Sequence, residues 1–409
     1  MAWRAPKTTA LLVGVATLAL ASCGTAKSAP TTARTASAPG ITSTSILLGS
    51  DTALSGPSSL GNGSVLGGIK AALAYVNATG GAYGRQISVT TIDNQSQQPV
   101  AAAAAASLTS TTGAFGLIGD GPTSAASYLA SAASSANTIQ LFPTTYAWPG
   151  PSSSIFLNPT VEVEAVEIAT ALAKRYRSPQ RVSLFVPPGT PTATAAAVSS
   201  KLPSRWRVNL VSFSPAAASD GFGPQALTIA ASKTTILVSF AGIFSTASLL
   251  ASLDASNAHP AVVVTQATLA VEKLRELYSN LTLKASYPST ILRFSPYLPA
   301  TLLPKPWAAV VAKIAKHLPA DESLDYATTT GIVIGMAAVE EIEAAGVNPD
   351  RRVVLTTADN AKVDLPSTGG YSRLGGLQGG VLYGNGTPVY VTAGKATTSP
   401  PGFKAPPRL

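Results

Sequence analysis

The stretch SVLGGIKAALAYVNATGGAYGRQISVTTIDNQS, residues 64–96, decides the fold. Apolar side chains recur in its first half every three or four residues, which predicts an amphipathic helix. They are Val65, Ile69, Leu73 and Val76. Two glycines at 80–81 then suit the positive φ of a helix end, and an apolar alternation over residues 87–91 predicts a strand. The stretch therefore predicts a helix followed by a strand, as in a βαβ unit.

The same alternation continues on both sides of this stretch. A short apolar strand precedes it at residues 46–50. Helical periodicity and strand patterns follow in turn at residues 99–108, 115–119, 125–135 and 138–142. The rhythm starts again at residue 163 and runs to residue 278. This order predicts an α/β fold with two doubly wound parallel-sheet units.

The C-terminal part predicts more helix and then a hairpin. Helical patterns cover residues 307–317 and 326–345. Glycines punctuate residues 375–394, where apolar residues alternate around Asn385-Gly386. An Asn-Gly pair is the turn that a two-residue β-hairpin prefers, so we predict one here.

Composition limits the classes of protein that this chain can belong to. Its 409 residues are too many for one core and suffice for two domains, and 46% apolar against 11% charged residues supplies that core. The net charge is +9, of which +5 belongs to the chain from Ile41 onward, because four basic residues and no acid precede it. These basic residues are scattered in the sequence, with no stripe interleaved with aromatics, so we expect no nucleic-acid partner.

The N-terminus has the pattern of an export signal. Arg4 and Lys7 precede an apolar stretch at residues 11–21, which is shorter than the roughly 20 residues a membrane-spanning helix needs. Leu20-Ala21-Ser22-Cys23 resembles the lipobox of bacterial lipoproteins, whose cysteine is acylated. We predict a signal peptide at 1–22, a lipid anchor on Cys23 and a flexible tether at 23–40. The alternative is an ordinary signal peptide with a chance cysteine.

Several segments resemble the type I periplasmic binding proteins of the branched-chain amino acid class. They are Leu54-Ser55-Gly56-Pro57, NATGGAYGR at 77–85, Asp93-Asn94-Gln95-Ser96, Leu117-Ile118-Gly119, Pro122-Thr123-Ser124 and FPTT at 142–145. The likeness is at the level of motifs from Ile46 to Tyr146 and of topology beyond Phe156.

The resemblance implies two lobes joined by three crossover strands, near residues 156–160, 286–292 and 374–379. Lobe 1 would comprise 41–157 and 288–373, lobe 2 would comprise 158–287 and 374–400, and 401–409 would be a tail. The implied function is that of an exported, lipid-anchored solute-binding protein, a monomer without cofactor, on the outer face of the cytoplasmic membrane. It would hand a small polar molecule to the permease of an ABC importer; the alternative is a module that reports its ligand to a membrane receptor.

The resemblance places the lobe 1 ligand contacts in loops that follow strands. They are Ser55, Leu60, Gly121, Thr123, Thr144, Thr145 and Tyr146. Thr123 precedes a predicted helix whose N–H groups suit a ligand carboxylate, although Thr123 or Ser124 can also act as a plain N-cap. The family often has threonine where Tyr146 stands, which indicates a differently shaped ligand.

Lobe 2 contacts are implied at Thr190, Gly242 and Gln266. Relatives that bind α-amino acids usually carry a carboxylate at the position of Gln266, where it faces the ligand's ammonium. A buried ammonium needs a paired charge. Glu162 or Glu164 offers one, although a solvated helix start is the alternative for both. An amino acid, an amide and a carboxylic acid without an ammonium therefore all remain candidate ligands.

Enzymatic chemistry is not indicated. The two histidines, His259 and His317, are far apart in sequence, and the one cysteine falls in the lipobox. No nucleophile, phosphate-loop or metal-ligand motif occurs, and the glycines at 61–68 lack dinucleotide-loop spacing. We therefore expect a binding protein that is not an enzyme and holds no metal.

Overall fold

The computed structural model describes most of the chain from Ala33 onward. The described residues are 33–56, 59, 61–119, 133–144, 153–157, 161–187, 192–214, 221–265, 271–282, 290–295, 300, 303, 305–358, 362–364, 371–375, 381–383, 387–392 and 395–397. The predicted signal peptide and Cys23 lie outside them.

Fifteen strands are described, and they are numbered here in chain order. They are β1 Ser45–Thr52, β2 Gln86–Asp93, β3 Gly116–Ile118, β4 Ile139–Leu141, β5 Ser154–Ile155, β6 Arg181–Val186, β7 Arg207–Ser212, β8 Ile236–Ser239, β9 Val262–Thr265, β10 Thr290–Ser295, β11 Lys362–Asp364, β12 Tyr371–Gly375, β13 Val381–Tyr383, β14 Thr387–Thr392 and β15 Lys395–Thr397.

Ten α-helices are described between and after these strands. They are α1 Asn62–Ala78, α2 Gln98–Ala106, α3 Val161–Arg175, α4 Thr192–Lys201, α5 Gly223–Ala231, α6 Ile243–Ala255, α7 Val271–Thr282, α8 Lys305–Ile314, α9 Tyr326–Ala344 and α10 Arg351–Ala358. A π-helical turn at Ser107–Thr111 extends α2, and a 3₁₀ turn at Ala315–His317 extends α8.

The strands form two large sheets and one small sheet. The first has the order β2-β1-β3-β4-β5, and all of its pairs are parallel. The second has the order β15-β14-β10-β9-β8-β6-β7, parallel from β10 to β7, with β14 and β15 antiparallel at the other edge. β11, β12 and β13 form a small antiparallel sheet. The predicted α/β fold with two parallel-sheet units is confirmed.

Two C-terminal predictions need correction. The predicted hairpin around residues 385–386 was wrong, because β13 pairs with β12 while β14 pairs with β10 and β15. The lobe 1 range predicted from residue 288 also begins too early. β10 is hydrogen-bonded between β9 and β14 and therefore belongs to the second sheet up to Ser295. Alternating apolar residues indicate strands, but they do not specify which strand is the partner.

Helices α1 and α9 pack closely against each other in the first unit. A methyl group placed on Gly68 would overlap the Thr328 carbonyl oxygen, and one placed on Gly331 would overlap the Val65 carbonyl oxygen. Glycine is therefore required at both positions by the approach of the two backbones. The start of α9 is fixed by a capping box, in which Thr328 N donates to Asp325 Oδ1 at 2.9 Å and Asp325 N donates to Thr328 Oγ1 at 2.8 Å.

Arg85, at the amino-terminal edge of the first sheet, is fully buried and joins three distant segments. Its Nε donates to Thr42 O at 2.7 Å, its Nη1 to Val347 O at 2.6 Å and its Nη2 to Thr35 O at 3.0 Å. Each of these bonds satisfies a carbonyl that is distant in sequence, so Arg85 fixes the N-terminal segment to the body.

Residues 33–40 are consequently part of the folded body. Asn348 accepts from Thr35 N at 2.8 Å and donates to Ala33 O at 2.9 Å, and Ser37 Oγ donates to Pro349 O at 2.6 Å. The prediction of a flexible tether up to residue 40 was therefore wrong for 33–40; residues 23–32 lie outside the described part. Composition indicated a linker, but it could not reveal the two hydrogen bonds that Asn348 makes to this segment.

Candidate functional site

The loops after β1 and β2 leave the carboxyl-terminal edge of the first sheet side by side. The strands are parallel and Thr52 pairs with Asp93, so both loops start at the same level. Leu54 N donates to Asp93 Oδ1 at 2.9 Å, and Ser55 Oγ donates to Asp93 Oδ2 at 2.7 Å. Asp93 thus fixes the first loop, which holds the predicted contact Ser55. The Ser55 hydroxyl donates its hydrogen to Asp93, and its oxygen can still accept a hydrogen bond from a ligand.

Hydrogen bonds keep Asp93 ionised. The Ser55 hydroxyl is the largest cause that lowers the pKa of this carboxyl, and backbone N–H groups of Gln95, Leu54 and Ser55 act in the same direction. Desolvation opposes them but does not prevail. The two loops are therefore joined by a carboxylate that stays ionised at pH values below the ordinary pKa of an aspartate.

A second set of hydrogen bonds also holds these two loops in place. Asn94 Nδ2 donates to Asp51 Oδ1 at 2.7 Å, where both side chains are fully buried. Ser96 Oγ donates to Ser55 O at 2.9 Å. A methyl group on Gly56, whose φ is +82°, would overlap Gln95 O, so the loops approach each other too closely for any other residue. This edge is therefore preorganised.

The end of β4 has an unusual backbone. Phe142 is fully buried and has φ of +55°, a left-handed conformation that is uncommon outside glycine. Its N–H donates to Ile155 O at 2.8 Å, which holds the residue in place. The predicted contact Thr144 follows two residues later and is half-buried. Such conformations are concentrated at functional sites, so this turn is a candidate position for ligand contacts.

The second sheet presents a comparable edge where β8 leads into α6. Gly242 caps α6 with extended backbone, and the helix start carries no side-chain cap. Thr246 Oγ1 lies 2.8 Å from Ser239 Oγ and donates to Gly242 O at 2.9 Å, which fixes the turn. Among the described residues, no atom lies within 4 Å of a methyl group placed on Gly242. The first N–H groups of α6 have no side-chain cap, and a helix start of this kind favours an acceptor.

Each edge also carries an exposed large apolar side chain. Leu54 follows β1 and is 42% exposed, and Phe244 lies in the first turn of α6 and is 40% exposed. Neither residue was among the predicted contacts. Both stand at carboxyl-terminal strand edges, which is where open parallel sheets bind ligands.

The structure places three of the predicted ligand contacts, Ser55, Thr144 and Gly242, at these edges. The others lie outside the described residues: Leu60, Gly121, Thr123, Thr145, Tyr146, Thr190 and Gln266. Sequence reasoning missed Asp93 as a site residue, although its place directly after an alternating strand was a usable signal.

The alternative role given to Glu164 needs correction. A solvated helix start was expected, but the side chain is 1% exposed, near the N-terminus of α3. The helix dipole favours a carboxylate there, since the N-terminus carries a partial positive charge. Glu162 has no described side chain.

Two kinds of feature are absent from the described part of the chain. It contains no cluster of three or more His, Cys, Asp or Glu side chains that could hold a metal ion. None of its helices combines the length and hydropathy needed to cross a bilayer.

Comparison with known proteins gives a consistent result. A family model described as "Periplasmic binding protein" matches residues 45–379. No curated protein matches the sequence. A possible leucine/isoleucine/valine-binding protein from Rhodopirellula baltica SH 1 superposes with a TM-score of 0.71 at 15% identity, covering 87% of this chain and 96% of that one.

Two further solved structures are similar over nearly the same length. The substrate-binding protein LivJ of a branched-chain amino acid transporter from Streptococcus pneumoniae, in complex with isoleucine, has a TM-score of 0.68 at 14% identity, covering 86% of this chain and 97% of that one. A fatty acid ABC transporter substrate-binding protein from Thermomonospora curvata has a TM-score of 0.67 at 16% identity, covering 88% and 92%. Identities this low establish a shared fold alone.

Proposed function

The chain belongs to the periplasmic binding protein family, and on that premise we propose that it captures a small molecule between its two sheet units for an ABC importer. The observation that carries the proposal is the pair of prepared edges, one in each unit, at the ends of β1 and β8. Families of this kind bind substrate for a transporter and do not transform it.

Capture works by closure of the two units on the ligand. A ligand seated on the Asp93-braced loops of the first unit reaches the start of α6 only when the units approach each other. It then contacts both units in the closed state and one in the open state, so its presence shifts the equilibrium toward closure. The permease would recognise that closed form.

The ligand we propose is a small carboxylic acid, amino acid or amide that also has an apolar portion. Uncapped N–H groups at α6 and the proposed contact Thr123 suit a carboxylate or carbonyl oxygen. The exposed Leu54 and Phe244 suit an apolar portion, because burying them on closure removes apolar surface from water. The structural neighbours include one with isoleucine bound and one named for fatty acids, which supports this range.

The remaining contacts proposed here come from the family resemblance. Leu60, Gly121, Thr145 and Tyr146 would complete the lobe 1 side, and Thr190 and Gln266 would complete the lobe 2 side. A neutral Gln266 in place of a carboxylate disfavours a ligand whose ammonium would be buried there.

A lipid anchor on Cys23 would keep the protein at the outer face of the membrane, beside its permease. Metabolic labelling with a palmitate analogue tests this part alone, with Cys23→Ala as the control. We expect label on the wild type and none on the variant. Label on neither would reject the anchor and leave the binding function untouched. A sensing role is the alternative, and co-purification with a receptor in place of a permease would favour it.

A thermal-shift screen tests the binding function. The panel would contain amino acids, amides, and aliphatic and aromatic acids, applied to the chain from Gly24, which keeps every described residue. A ligand at about a hundred times its Kd stabilises the protein by about 2.7 kcal/mol. Thr123→Ala should abolish the shift, and Thr356→Ala, an exposed threonine of α10, should not. A folded protein that no panel member stabilises would count against the proposed ligand class.

A further inference from the structure

Eight basic side chains gather at the amino-terminal edge of the second sheet. They are Lys174, Arg175, Arg177, Arg181, Lys201, Arg205, Arg207 and Lys233, called the basic rim below. They are scattered over residues 174–233 of the sequence. The fold brings them together because α3, α4 and α5 end at the edge where β6, β7 and β8 begin. Each connection from a helix to the next strand therefore places basic residues at this edge.

Backbone pairing and hydrogen bonds place members of the rim next to each other. Arg181 and Arg207 are paired residues on the neighbouring strands β6 and β7. Arg205 Nη2 donates to the Arg177 carbonyl oxygen across the same edge. Arg181 Nη1 approaches Ser232 O at 3.5 Å, beside Lys233. The rim is therefore a continuous surface over the starts of three adjacent strands.

The charge of the rim faces solvent. Six of its members are exposed, all except Arg175 and Arg181, which are half-buried. An acid at the same edge, Asp254, ends α6 near β9, two strands from β6, and its Oδ1 lies 2.9 Å from His259 Nε2. Like charges this close repel one another, so the arrangement gains from a partner that is anionic.

Helix dipoles account for only part of the rim. Lys174, Arg175 and Lys201 lie in the last turns of α3 and α4, where a cation is favoured. Arg205 lies beyond those turns and donates to the Arg177 carbonyl oxygen. Arg177 and Arg207 also lie beyond them and gain little from the dipole, because its influence falls off within one turn. Their presence calls for a further explanation.

We propose that the basic rim is a docking surface for a membrane that carries anionic phospholipid headgroups. The rim spans three strand starts about 4.8 Å apart, so it is broad, as suits many shallow phosphate contacts on a lipid surface. Arginine and lysine both bind phosphate oxygens well. The membrane as partner rests on the proposed Cys23 anchor, which would hold the chain beside such a surface. Docking would then orient the second unit relative to the membrane.

Vesicle sedimentation tests the proposal without any ligand of the cleft. The chain from Gly24, which lacks the anchor, is mixed with vesicles of phosphatidylcholine alone or with phosphatidylglycerol added. We expect binding to the anionic vesicles only. This binding should weaken as ionic strength rises from about 0.01 to about 1 M, because the Debye screening length shortens from about 30 to about 3 Å.

Two quadruple variants with equal loss of charge isolate the rim. The rim variant is K174Q/R177Q/K201Q/R207Q, whose side chains form none of the hydrogen bonds described above. The control variant is K70Q/K313Q/K316Q/R352Q, which removes four exposed cations of the first unit. Each cation at a charged surface contributes about fivefold, so the rim variant should bind the vesicles at least tenfold more weakly and the control variant should bind nearly normally.

Three results would overturn the proposal. The two variants could lose vesicle binding equally, or the wild type could bind neutral and anionic vesicles equally. The wild type could also bind single-stranded RNA more tightly than anionic vesicles at the same phosphate concentration. Circular dichroism and the ligand-induced thermal shift of the rim variant separate these outcomes from misfolding. A rim variant that keeps the thermal shift but loses vesicle binding supports the rim. A wild type without any thermal shift would challenge the proposed ligand class and not the rim.

Discussion

Glu341 provides a sensitive test of how the first unit is packed. It lies near the C-terminal end of α9 and is fully buried, and neither carboxyl oxygen has a hydrogen-bond partner among the described residues. Burial raises the pKa of this carboxyl from 4.5 to about 8. The folded protein therefore keeps Glu341 protonated at neutral pH, whereas the unfolded chain ionises it.

The sign of the pH dependence follows from these two pKa values. Below about pH 4.5 the group is protonated in both states and has no effect on the free energy of unfolding. Between 4.5 and about 8 the folded state binds more protons, so stability falls as pH rises, opposite to the usual effect of a carboxyl group. At 1.36 kcal/mol per pKa unit, the loss reaches about 3 kcal/mol at pH 7.

Substituting Glu341→Gln removes this titration and keeps the shape of the protonated side chain. Urea unfolding at about pH 5 and pH 7 should show that the wild type loses about 2 kcal/mol more than the variant across the interval. Asp321→Asn, at an exposed position, is the control and should behave as wild type. If Glu341→Gln and wild type showed the same pH slope, Glu341 would be solvated or paired and the reasoning refuted.

Three further predictions address the packing, the site and the N-terminal segment. Gly331→Ala should lower the free energy of unfolding by about 1–3 kcal/mol or more, as measured in urea, because the added methyl meets the α1 backbone. Gly63→Ala is its control: no described atom lies within 4 Å of the added methyl, so this variant should be neutral or stabilised by up to about 1 kcal/mol. Asp93→Asn should weaken ligand affinity in calorimetry, and unchanged affinity would mean that the bonds of Asp93 do not matter to the site. Because the folded-state pKa of Asp93 is lowered, wild type should lose some stability as pH falls through that pKa, and the variant should not show this loss. Asn348→Ala should raise hydrogen exchange at residues 33–38, since it removes two hydrogen bonds to them; unaltered protection would contradict the docking described here.

The parallel-sheet core was predictable because its signals are local. β1 was expected at residues 46–50 and spans Ser45–Thr52, and α9 was expected at 326–345 and spans Tyr326–Ala344. Both have apolar patterns long enough to define their period. The helices α5 and α10 were missed, since each has nine residues or fewer and α5 begins with Gly-Pro, which reads as a loop.

The tertiary features could not be predicted in this way. The burial of Arg85 depends on carbonyls at Thr35, Thr42 and Val347, and nothing local to residue 85 indicates them. The Ser55–Asp93 bond likewise depends on the register between β1 and β2. The site residues inferred from the resemblance stay a prediction, whereas the bonds that hold the described loops come from the fold.

Closure on a ligand is the central claim, and a distance measurement between the two units tests it most directly. The chain from Gly24 contains no cysteine, so Lys70→Cys on α1 and Ser200→Cys on α4 would carry the only two spin labels. A ligand identified by thermal shift should shorten and narrow the distance distribution measured by pulsed electron resonance. A saturating ligand that stabilises the protein and leaves that distribution unchanged would contradict capture by closure.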